Sequence, residues 1–371
     1  MAERRNLDLA AARERAAFAQ AGIQVARQRP NPNLTFSASR DTPHEGFLFE
    51  QPLEIGPKRS RRIEVAREEA GVTEAEIAVL ERQVRRNVRE AFHTAVFAKA
   101  VSARRQRLLD LAHRLQTIAQ ERFNAGDVAQ LEVIQADVEV ARADAESQLA
   151  QQEENVALGT LNTLLNQPAG SAWQLSDSLE TFSDIASVNT LTDQAYQANP
   201  EIKRATRSIA VEQSRVNLLR AERIPDFHVA AGSDFNSPGE FNAGPKAELS
   251  VGLPLFSRNQ GEIAQASANQ RRAEKELAAA KRTISSRIEA AYLEFQARKS
   301  QVTIFRQTVI PAAQRLTQMS EESYRAGKSG ILTVIDAQRN ASEVEQNFLD
   351  SELQAQRTFA ELEEAVGAPL D

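Results

Sequence analysis

The chain has 371 residues, a formal net charge of -6, no cysteine, 26% charged residues and 42% hydrophobic residues. The lack of cysteine excludes disulfides, thiolate metal sites and a cysteine nucleophile. The acidic balance argues against a nucleic-acid-binding protein with a basic face. No segment approaches the roughly 18 consecutive apolar residues of a transmembrane helix. Taken alone, these numbers are typical of a soluble and largely helical protein.

The chain begins with a short charged stretch, Met1 to Arg5, and then enters a helical pattern without an apolar core segment. A secretory signal peptide requires such an apolar segment. We therefore expect no signal peptide in this chain.

Two copies of one unit follow each other along the chain. The motif E-R-F-N-A-G ending at Gly126 matches E-S-Y-R-A-G ending at Gly327, an offset of 201 residues. Pro52 and Pro254, each followed by leucine, match at an offset of 202. Self-similarity at a fixed offset is the signature of a duplicated structural unit. We predict a first repeat over 1–168, a connecting segment over 169–190 and a second repeat over 191–371.

Long helices dominate each copy. Apolar residues recur in steps of three and four, as in Ile77, Leu80 and Val84 and again in Ile284 and Ile288. This spacing indicates a helical stripe of the coiled-coil type. We expect one helix hairpin in each copy, over about 58–167 and about 260–367.

Gly126 and Gly327 lie where the two hairpins must turn, because glycine is favoured just after a helix ends. Pro311 falls inside the second long helix and predicts a kink or break there.

Four short segments alternate between apolar and small polar residues. In the first of them Leu34, Phe36 and Ala38 share one face, while Thr35 and Ser37 share the other. A period of two predicts strands, which we place at about 32–41, 46–54, 226–235 and 246–255. Two interpretations remain open: strands of a membrane β-barrel completed by other chains, or edge strands packed on the helices.

The order of these elements and several local motifs resemble the outer membrane efflux protein family, the TolC-like channels. The motifs are Asn31-Pro32-Asn33-Leu34, the segment from Leu253 to Gly261, and Tyr324-Arg325-Ala326-Gly327 followed by Leu332 to Ala337. The segment from Leu253 to Gly261 is similar to the CzcC-like heavy-metal efflux branch of that family.

The resemblance implies a mainly α fold with short β hairpins. Three chains would form a homotrimer, with a twelve-stranded barrel in the outer membrane of a Gram-negative bacterium and an α-helical tunnel in the periplasm. The implied function is passive conduction of substrate, heavy-metal cations in this branch. The implied partners are a periplasmic adaptor protein, an inner-membrane pump of the RND type and outer-membrane lipid, with no nucleic acid. The connecting segment 169–190 resembles the equatorial part of the tunnel, where Trp173 would be a packing anchor.

The resemblance also implies a gate. Family members carry acidic residues just after the second turn, and the matching positions here are Thr333 and Asp336. The offset of 201 gives Glu132 and Gln135 as their first-copy equivalents. Three-fold symmetry would turn each side chain into a ring that attracts cations. The alternative is that the acidic residues are exposed and stabilise a helix N-terminus.

The two turns are candidate docking points for the adaptor, because they are the breaks in the helices at that end. The alternative is that they are simple bends. The candidate residues are Asn124, Gly126, Asp127, Arg325, Gly327 and Lys328.

No catalytic motif is visible. The four histidines share no close spacing, and no HExxH, Walker A or GxSxG motif occurs. We expect no enzyme activity, no cofactor and no metal site. A soluble coiled-coil scaffold and a periplasmic adaptor protein remain the alternatives to a channel.

Overall fold

The computed structural model describes residues 2–41, 43–168, 170, 171, 173, 175, 179, 184–237 and 241–370. Part of the predicted connecting segment 169–190 therefore lies outside the described residues. Within them the chain is mainly helical and carries one four-stranded antiparallel sheet, which confirms the predicted mainly α fold with short β hairpins.

The helices are α1 (Ala2–Arg5), α2 (Leu7–Arg27), α3 (Lys58–Asn124), α4 (Gln130–Leu164), α5 (Val188–Ala198), α6 (Pro200–Ala221), α7 (Gln260–Ile304), α8 (Ile310–Arg325) and α9 (Ile331–Val366). The strands are β1 (Asn33–Ala38), β2 (Glu45–Leu53), β3 (Phe227–Ser237) and β4 (Phe241–Val251). None of the helices within the described ranges combines the length and the apolar character needed to cross a membrane.

Contacts divide the chain into two compact units, and each unit takes segments from both halves of the sequence. The helical unit comprises Leu80–Asn199, the segment from Thr283 onward and the N-terminal segment ending at Ala10. The sheet unit comprises Ala11–Val79 and Pro200–Arg282.

Alanine-rich seams hold the helical unit together. Ala91, Ala95 and Ala98 of α3 are buried against Ala157 and Leu161 of α4. Small side chains at such spacing let neighbouring helices approach closely. Trp173 packs partly buried on this cluster, and its indole Nε1 donates a 2.6 Å hydrogen bond to Asn162 Oδ1. Trp173 is therefore a packing anchor within the helical unit.

The second long helix changes its hydrogen bonding just before Pro311. A π-helical segment, Phe305–Val309, separates α7 from α8, and Pro311 lies in the first turn of α8. Proline cannot donate the backbone hydrogen bond that an α-helix needs at that position, and one π-turn accommodates the loss. The expected kink or break is thus a local π-turn, and the chain stays helical through it.

The sheet joins the two β hairpins in the strand order β1-β2-β3-β4, with every neighbouring pair antiparallel. The β2–β3 pairing connects the first half of the sequence to the second, with Glu45 opposite Phe235 and Leu53 opposite Phe227. The strands of the two hairpins therefore form one surface.

The register sorts the side chains onto two faces, because successive residues of a strand point to opposite sides. Leu34 pairs with Phe49, and Phe36 with Phe47, so these side chains share one face. We call it the apolar face; its large exposed members are Leu34, Phe36, Phe47, Phe49, Leu53, Val229, Leu249 and Val251. The opposite face, the polar face, carries Thr35 and Ser37 of β1 and mainly small, polar or charged residues of the other strands, with Leu48 of β2 as a large apolar exception.

Glycines let the backbones of β2 and β3 approach on the polar face. A Cβ atom added to Gly232 would lie 2.1 Å from the Phe47 carbonyl oxygen and 3.1 Å from Leu48 Cα. A Cβ on Gly46 would lie 2.7 Å from Asp234 Oδ1. Because the first of these clashes involves backbone, a side chain at Gly232 requires the strands to move apart.

We therefore expect Gly232→Val to lower the free energy of unfolding by roughly 2–4 kcal/mol, measured by denaturant titration followed by circular dichroism. Gly252→Val is the matched control, since a Cβ there meets no atom within 4 Å. Equal destabilisation by the two substitutions would contradict the close approach of β2 and β3.

Candidate functional site: the two interhelical turns

The two turns have the same backbone construction. Gly126 and Gly327 have φ values of 81° and 69°, in the left-handed region that glycine adopts without strain. The backbone N–H of Asp127 donates to the Arg122 carbonyl at 2.9 Å, and that of Lys328 donates to the Ser323 carbonyl at 2.9 Å. This pattern closes a helix end with a glycine.

The six predicted docking residues are exposed to solvent. Asn124 ends α3 and accepts a 2.9 Å hydrogen bond from Gln120 Nε2. Arg325 ends α8. The turns thus present polar side chains that a second molecule can reach, and whether an adaptor uses them stays a prediction.

A buried tyrosine joins the two turns. Tyr324 is 1% exposed and packs in a cluster with Leu115 and Ala119 of α3, Ala136 of α4 and Ile331 of α9. Its neighbours in this cluster come from both helix hairpins, so the two turns form one packed end of the helical unit.

Two side chains of the first hairpin make polar contacts with Tyr324. The phenol donates to Glu132 Oε2 at 3.3 Å, and Arg122 Nη1 donates to the Tyr324 carbonyl at 3.3 Å. The Arg122 guanidinium also lies over the Tyr324 ring, 4.8 Å from its centroid, in a cation–π contact. Burial, and then the Glu132 charge, raise the pKa of the Tyr324 phenol above its ordinary value.

The four predicted gate residues have different surroundings. Thr333 and Asp336 are exposed on α9, whereas Glu132 and Gln135 on α4 are half-buried. Glu132 is held by Tyr324. The Asp336 carboxylate is therefore open to solvent, while that of Glu132 is already engaged within the chain.

Sequence reasoning placed Tyr324 in the motif of the second turn but gave it no role in packing, and it did not single out Arg122. The repeat contained a sequence feature that could have pointed to Tyr324, because the offset of 201 pairs it with Phe123. Phe123 is 38% exposed and Tyr324 is buried, so the copy that carries the hydroxyl group is the one that points inward.

An ion pair lies close to Asp336. Arg339 of α9 contacts Glu139 of α4 through a short ion pair. This hydrogen bond, with added attraction from the Asp336 charge, raises the pKa of Arg339. The positive charge of Arg339 therefore persists at any physiological pH and partly offsets the nearby carboxylates.

Farther along α3, an arginine is buried against α9. The Arg104 side chain is 8% exposed, and its Nε lies 2.7 Å from Glu345 Oε2. Arg104 Nη2 donates to the Ser342 carbonyl at 2.6 Å. Burial lowers the pKa of Arg104, and Glu345 opposes that change.

A cavity of about 310 Å³ lies beside this region. Its charged lining includes Arg105, Glu139, Arg142, Glu146, Arg339 and Glu343. Because charges of both signs alternate around it, the cavity has no strong preference for an anion or a cation. In the described parts of the chain, no group of three or more His, Asp or Glu side chains is placed to hold a metal ion.

Tyr324→Phe tests the contact between the turns. At pH 7 the variant should lose about 1 kcal/mol of unfolding free energy, the contribution of one hydrogen bond. The folded protein holds the phenol proton to higher pH than the unfolded chain does, so this stabilisation is complete below the ordinary pKa of 10.0 and declines as the pH rises above it. Denaturant unfolding between about pH 8 and 11 should show a steeper alkaline loss in the wild type than in Tyr324→Phe. Parallel profiles would contradict the buried-phenol assignment.

Comparison with known proteins gives consistent results. The model of a family described as outer membrane efflux protein matches residues 1–167 and 191–368. The chain is 24% identical over 347 residues to the cobalt-zinc-cadmium resistance protein CzcC of Cupriavidus metallidurans, covering 93% of this chain and 82% of that protein. It is 28% identical over 259 residues to the nickel-cobalt-cadmium resistance protein NccC of Alcaligenes xylosoxydans xylosoxydans, covering 66% of this chain and 57% of that protein.

The fold is similar to that of a solved structure, the outer-membrane channel OprN. The superposition has a TM-score of 0.81 at 18% sequence identity, and it covers 100% of this chain and 88% of that one.

Proposed function

Because the chain belongs to the outer membrane efflux protein family, we propose that it is the outer membrane channel of a tripartite efflux system. It conducts passively what an inner-membrane pump of the RND type delivers through a periplasmic adaptor protein. Family membership favours this function over a soluble scaffold or an adaptor, and it agrees with the expectation that the chain is not an enzyme. The two family-matched segments are taken as two structural copies joined by the connecting segment 169–190.

The four-stranded sheet is the observation that supports this proposal most directly. β1 and β4 lie at its two ends, and within the described residues each pairs with one neighbouring strand. One face of the sheet exposes large apolar side chains, among them Phe36 at 76% and Leu249 at 67%. A free strand edge in lipid is costly because its backbone groups find no water. Three copies that join β1 of one chain to β4 of the next would close a twelve-stranded barrel with its apolar face toward lipid.

Exposed apolar residues on the helices support the same assembly. Described large side chains that remain at least half exposed in the helical unit are Leu7 on α2, Leu131, Ile134, Val138, Leu149 and Val156 on α4, Leu293 and Ile304 on α7, Leu316 and Met319 on α8, and Leu332 on α9. So much exposed apolar surface is typical of a chain that packs against other molecules. In the proposed homotrimer these helices pack around a periplasmic tunnel.

Cross-linking tests the closure of the sheet. The chain has no cysteine of its own, so Thr35→Cys on β1 and Ser250→Cys on β4 provide the reactive thiols. With a short bifunctional maleimide in detergent, the double variant should form covalent trimers. Each single variant is the control and should not form them, because head-to-tail closure keeps strands of the same kind apart. Trimers absent from the double variant, or equally abundant in the single variants, would contradict the proposal.

We place the gate of the proposed channel at the two interhelical turns. Asp336 and Thr333 form the ring in the second copy, with Glu132 and Gln135 as their first-copy equivalents. Exposure of the Asp336 carboxylate supports its access to solvent in the tunnel. Glu132 has the additional task of holding Tyr324, so its substitution affects the packing of the turns as well as their charge. The docking surface for the adaptor consists of the six exposed turn residues named above.

The transported substrate is a heavy-metal cation. The names of two relatives, CzcC and NccC, connect those proteins with resistance to cobalt, cadmium, zinc and nickel. A carboxylate ring attracts such cations and repels anions, which fits the acidic residues at the proposed gate.

Current measurements in planar lipid bilayers test the proposed gate and the proposed substrate together. Zn²⁺ added to wild-type channels should reduce the K⁺ current, and Asp336→Ala should weaken this block roughly tenfold or more, because carboxylates bind divalent cations. Asp336→Ala combined with Glu132→Ala should weaken it further. Asp137→Ala, which removes an exposed carboxylate of α4 that accepts from Gln116, should leave it unchanged. Unchanged block in the double variant would contradict the ring, and a reversal potential showing no Zn²⁺ permeation would contradict the substrate.

A further inference from the structure

All four strands meet their neighbouring helices at one end of the sheet. β1 begins after α2 and β2 leads into α3, while β3 begins after α6 and β4 leads into α7. At this end Leu53 of β2 lies opposite Phe227 of β3, and Phe227 lies opposite Val251 of β4. The connections and the adjoining helix ends therefore border the apolar face. We call them the rim, which comprises residues 27–32, 54–59, 222–226 and 252–259.

An apolar group extends the apolar face of the sheet into the rim. Leu253 continues the alternation of Leu249 and Val251 and is 64% exposed. Leu255 and Phe256 follow, at 63% and 93% exposed. The backbone N–H of Leu255 donates to the Leu253 carbonyl at 2.9 Å, which keeps these side chains close to the end of β4. The apolar surface therefore continues beyond the last paired residue of the strand.

Two pairs of arginines with the same construction lie on the rim. Arg59 of α3 donates through Nε to the carbonyl of Arg27, the last residue of α2, at 2.8 Å. Arg223, which follows α6, donates through Nε to the carbonyl of Arg258, which precedes α7, at 2.9 Å. Arg258 in turn donates to the Pro254 carbonyl at 3.1 Å, within the segment that carries the apolar group. We call Arg27, Arg59, Arg223 and Arg258 the rim arginines.

The carboxylates of the rim are engaged elsewhere. Asp226 pairs with Lys58 at 2.6 Å, and Glu54 pairs with Arg62 at 2.6 Å. Glu222 accepts a 3.5 Å hydrogen bond from an asparagine side chain. Among the described residues, none of the rim arginines forms an ion pair with a carboxylate. The rim therefore carries an excess of positive charge that the chain itself does not neutralise.

The first turn of α3 points to an anion outside the chain. It contains basic residues and no acidic residue, although the N-terminus of a helix is the positive end of its dipole. Lys58 is neutralised by Asp226 at 2.6 Å, and Arg61 by Glu64 at 2.7 Å. Arg59 has no such partner among the described residues, so its position is unfavourable unless an anion binds beside it.

We infer that the rim binds the anionic headgroups of phospholipids at the inner surface of the outer membrane. The inference rests on the proposed channel, which places the apolar face in lipid and the helices in the periplasm, so that the rim lies at the membrane surface between them. Guanidinium groups bind phosphate oxygens in pairs, and anionic lipids attract basic side chains at a membrane surface. The exposed apolar group beside them enters the region of the acyl chains.

Charge favours a lipid over a second copy of the chain as the occupant of the rim. In the proposed barrel, β4 of one copy borders β1 of the next, and the segment before β1 carries Arg27 and Arg29. The neighbouring copy therefore brings further positive charge toward Arg258. An anionic headgroup between the copies offsets this repulsion. A free phosphate ion would do the same but would leave Phe256 exposed.

Native mass spectrometry of the full chain, purified in detergent, tests the lipid site. Offered equal amounts of phosphatidylglycerol and phosphatidylcholine, the wild type should retain the anionic lipid with a preference of roughly tenfold or more. Arg59→Gln combined with Arg258→Gln should remove most of this preference. Arg271→Gln combined with Arg272→Gln is the matched control, because it removes two exposed charges from α7, roughly 20 Å farther along the chain. It should leave the preference unchanged.

The two double variants are first shown to form the same oligomer as the wild type in detergent. Equal loss of preference in both of them would overturn the site. Displacement of the lipid by an equal concentration of glycerophosphoglycerol, which is the headgroup without acyl chains, would assign the rim to a soluble anion and overturn the lipid.

Phe256→Ser tests the apolar group. The variant should keep the wild-type oligomer and bind phosphatidylglycerol roughly threefold or more weakly, because an apolar contact with the acyl chains is lost. Loss of the oligomer with unchanged lipid binding would assign Phe256 to a contact between copies and overturn its role in lipid binding.

Failure of the channel and failure of the lipid site are distinguishable. A wild-type chain that does not conduct in planar bilayers but prefers phosphatidylglycerol would overturn the proposed function and support the site. Conductance together with equal binding of the two lipids would overturn the site alone.

Discussion

The backbone groups on the outer edges of β1 and β4 set the main constraint on this molecule. A strand at the end of a sheet presents N–H and C=O groups that need partners. Water supplies them only where the sheet is wet, and the apolar face of this sheet, with Phe36 and Leu249 exposed, is suited to lipid. The edge backbone groups find partners, and the apolar face can lie in lipid, when the β1 edge of one copy pairs with the β4 edge of another. The proposed trimer would therefore follow from hydrogen bonding as much as from apolar contact.

The helical unit is stabilised by close helix packing and by specific polar contacts between helices. Alanine seams such as Ala91, Ala95 and Ala98 bring helices close together, but they bury little apolar area per residue. Polar contacts then fix which helix lies beside which. Arg104 binds carbonyl groups of α9, and Tyr324 connects one hairpin to the other. Removing such a group leaves a buried partner without its hydrogen bond, which costs more than the contact contributes.

Local patterns were sufficient to predict the elements but not all of their contacts. Alternation at Leu34 and Phe36 predicted strands with the correct apolar face, and glycines at 126 and 327 predicted the ends of helices. Composition alone suggested a soluble protein. It was misleading, because four short alternating strands barely change a mean hydropathy that is dominated by long polar helices. The pairing of β2 with β3, the π-turn before Pro311 and the burial of Tyr324 depend on residues distant in sequence or on backbone hydrogen bonds. The candidate gate followed from a family resemblance, and the engagement of Glu132 by Tyr324 became visible only in three dimensions.

Charge on the polar face of the sheet follows from the same constraint that fixes the edges. In the proposed barrel Phe47, Phe49 and Leu53 of β2 face the lipid, whereas the even-numbered positions of this strand face the enclosed side and are free of that requirement. Small residues at Gly46 and Gly232 let the strands approach, and the remaining positions can carry charge. Glu50 and His228 occupy such positions. Their charge is therefore compatible with the close pairing of the strands, and it does not conflict with the apolar side chains of the opposite face, because successive residues of a strand point to opposite sides.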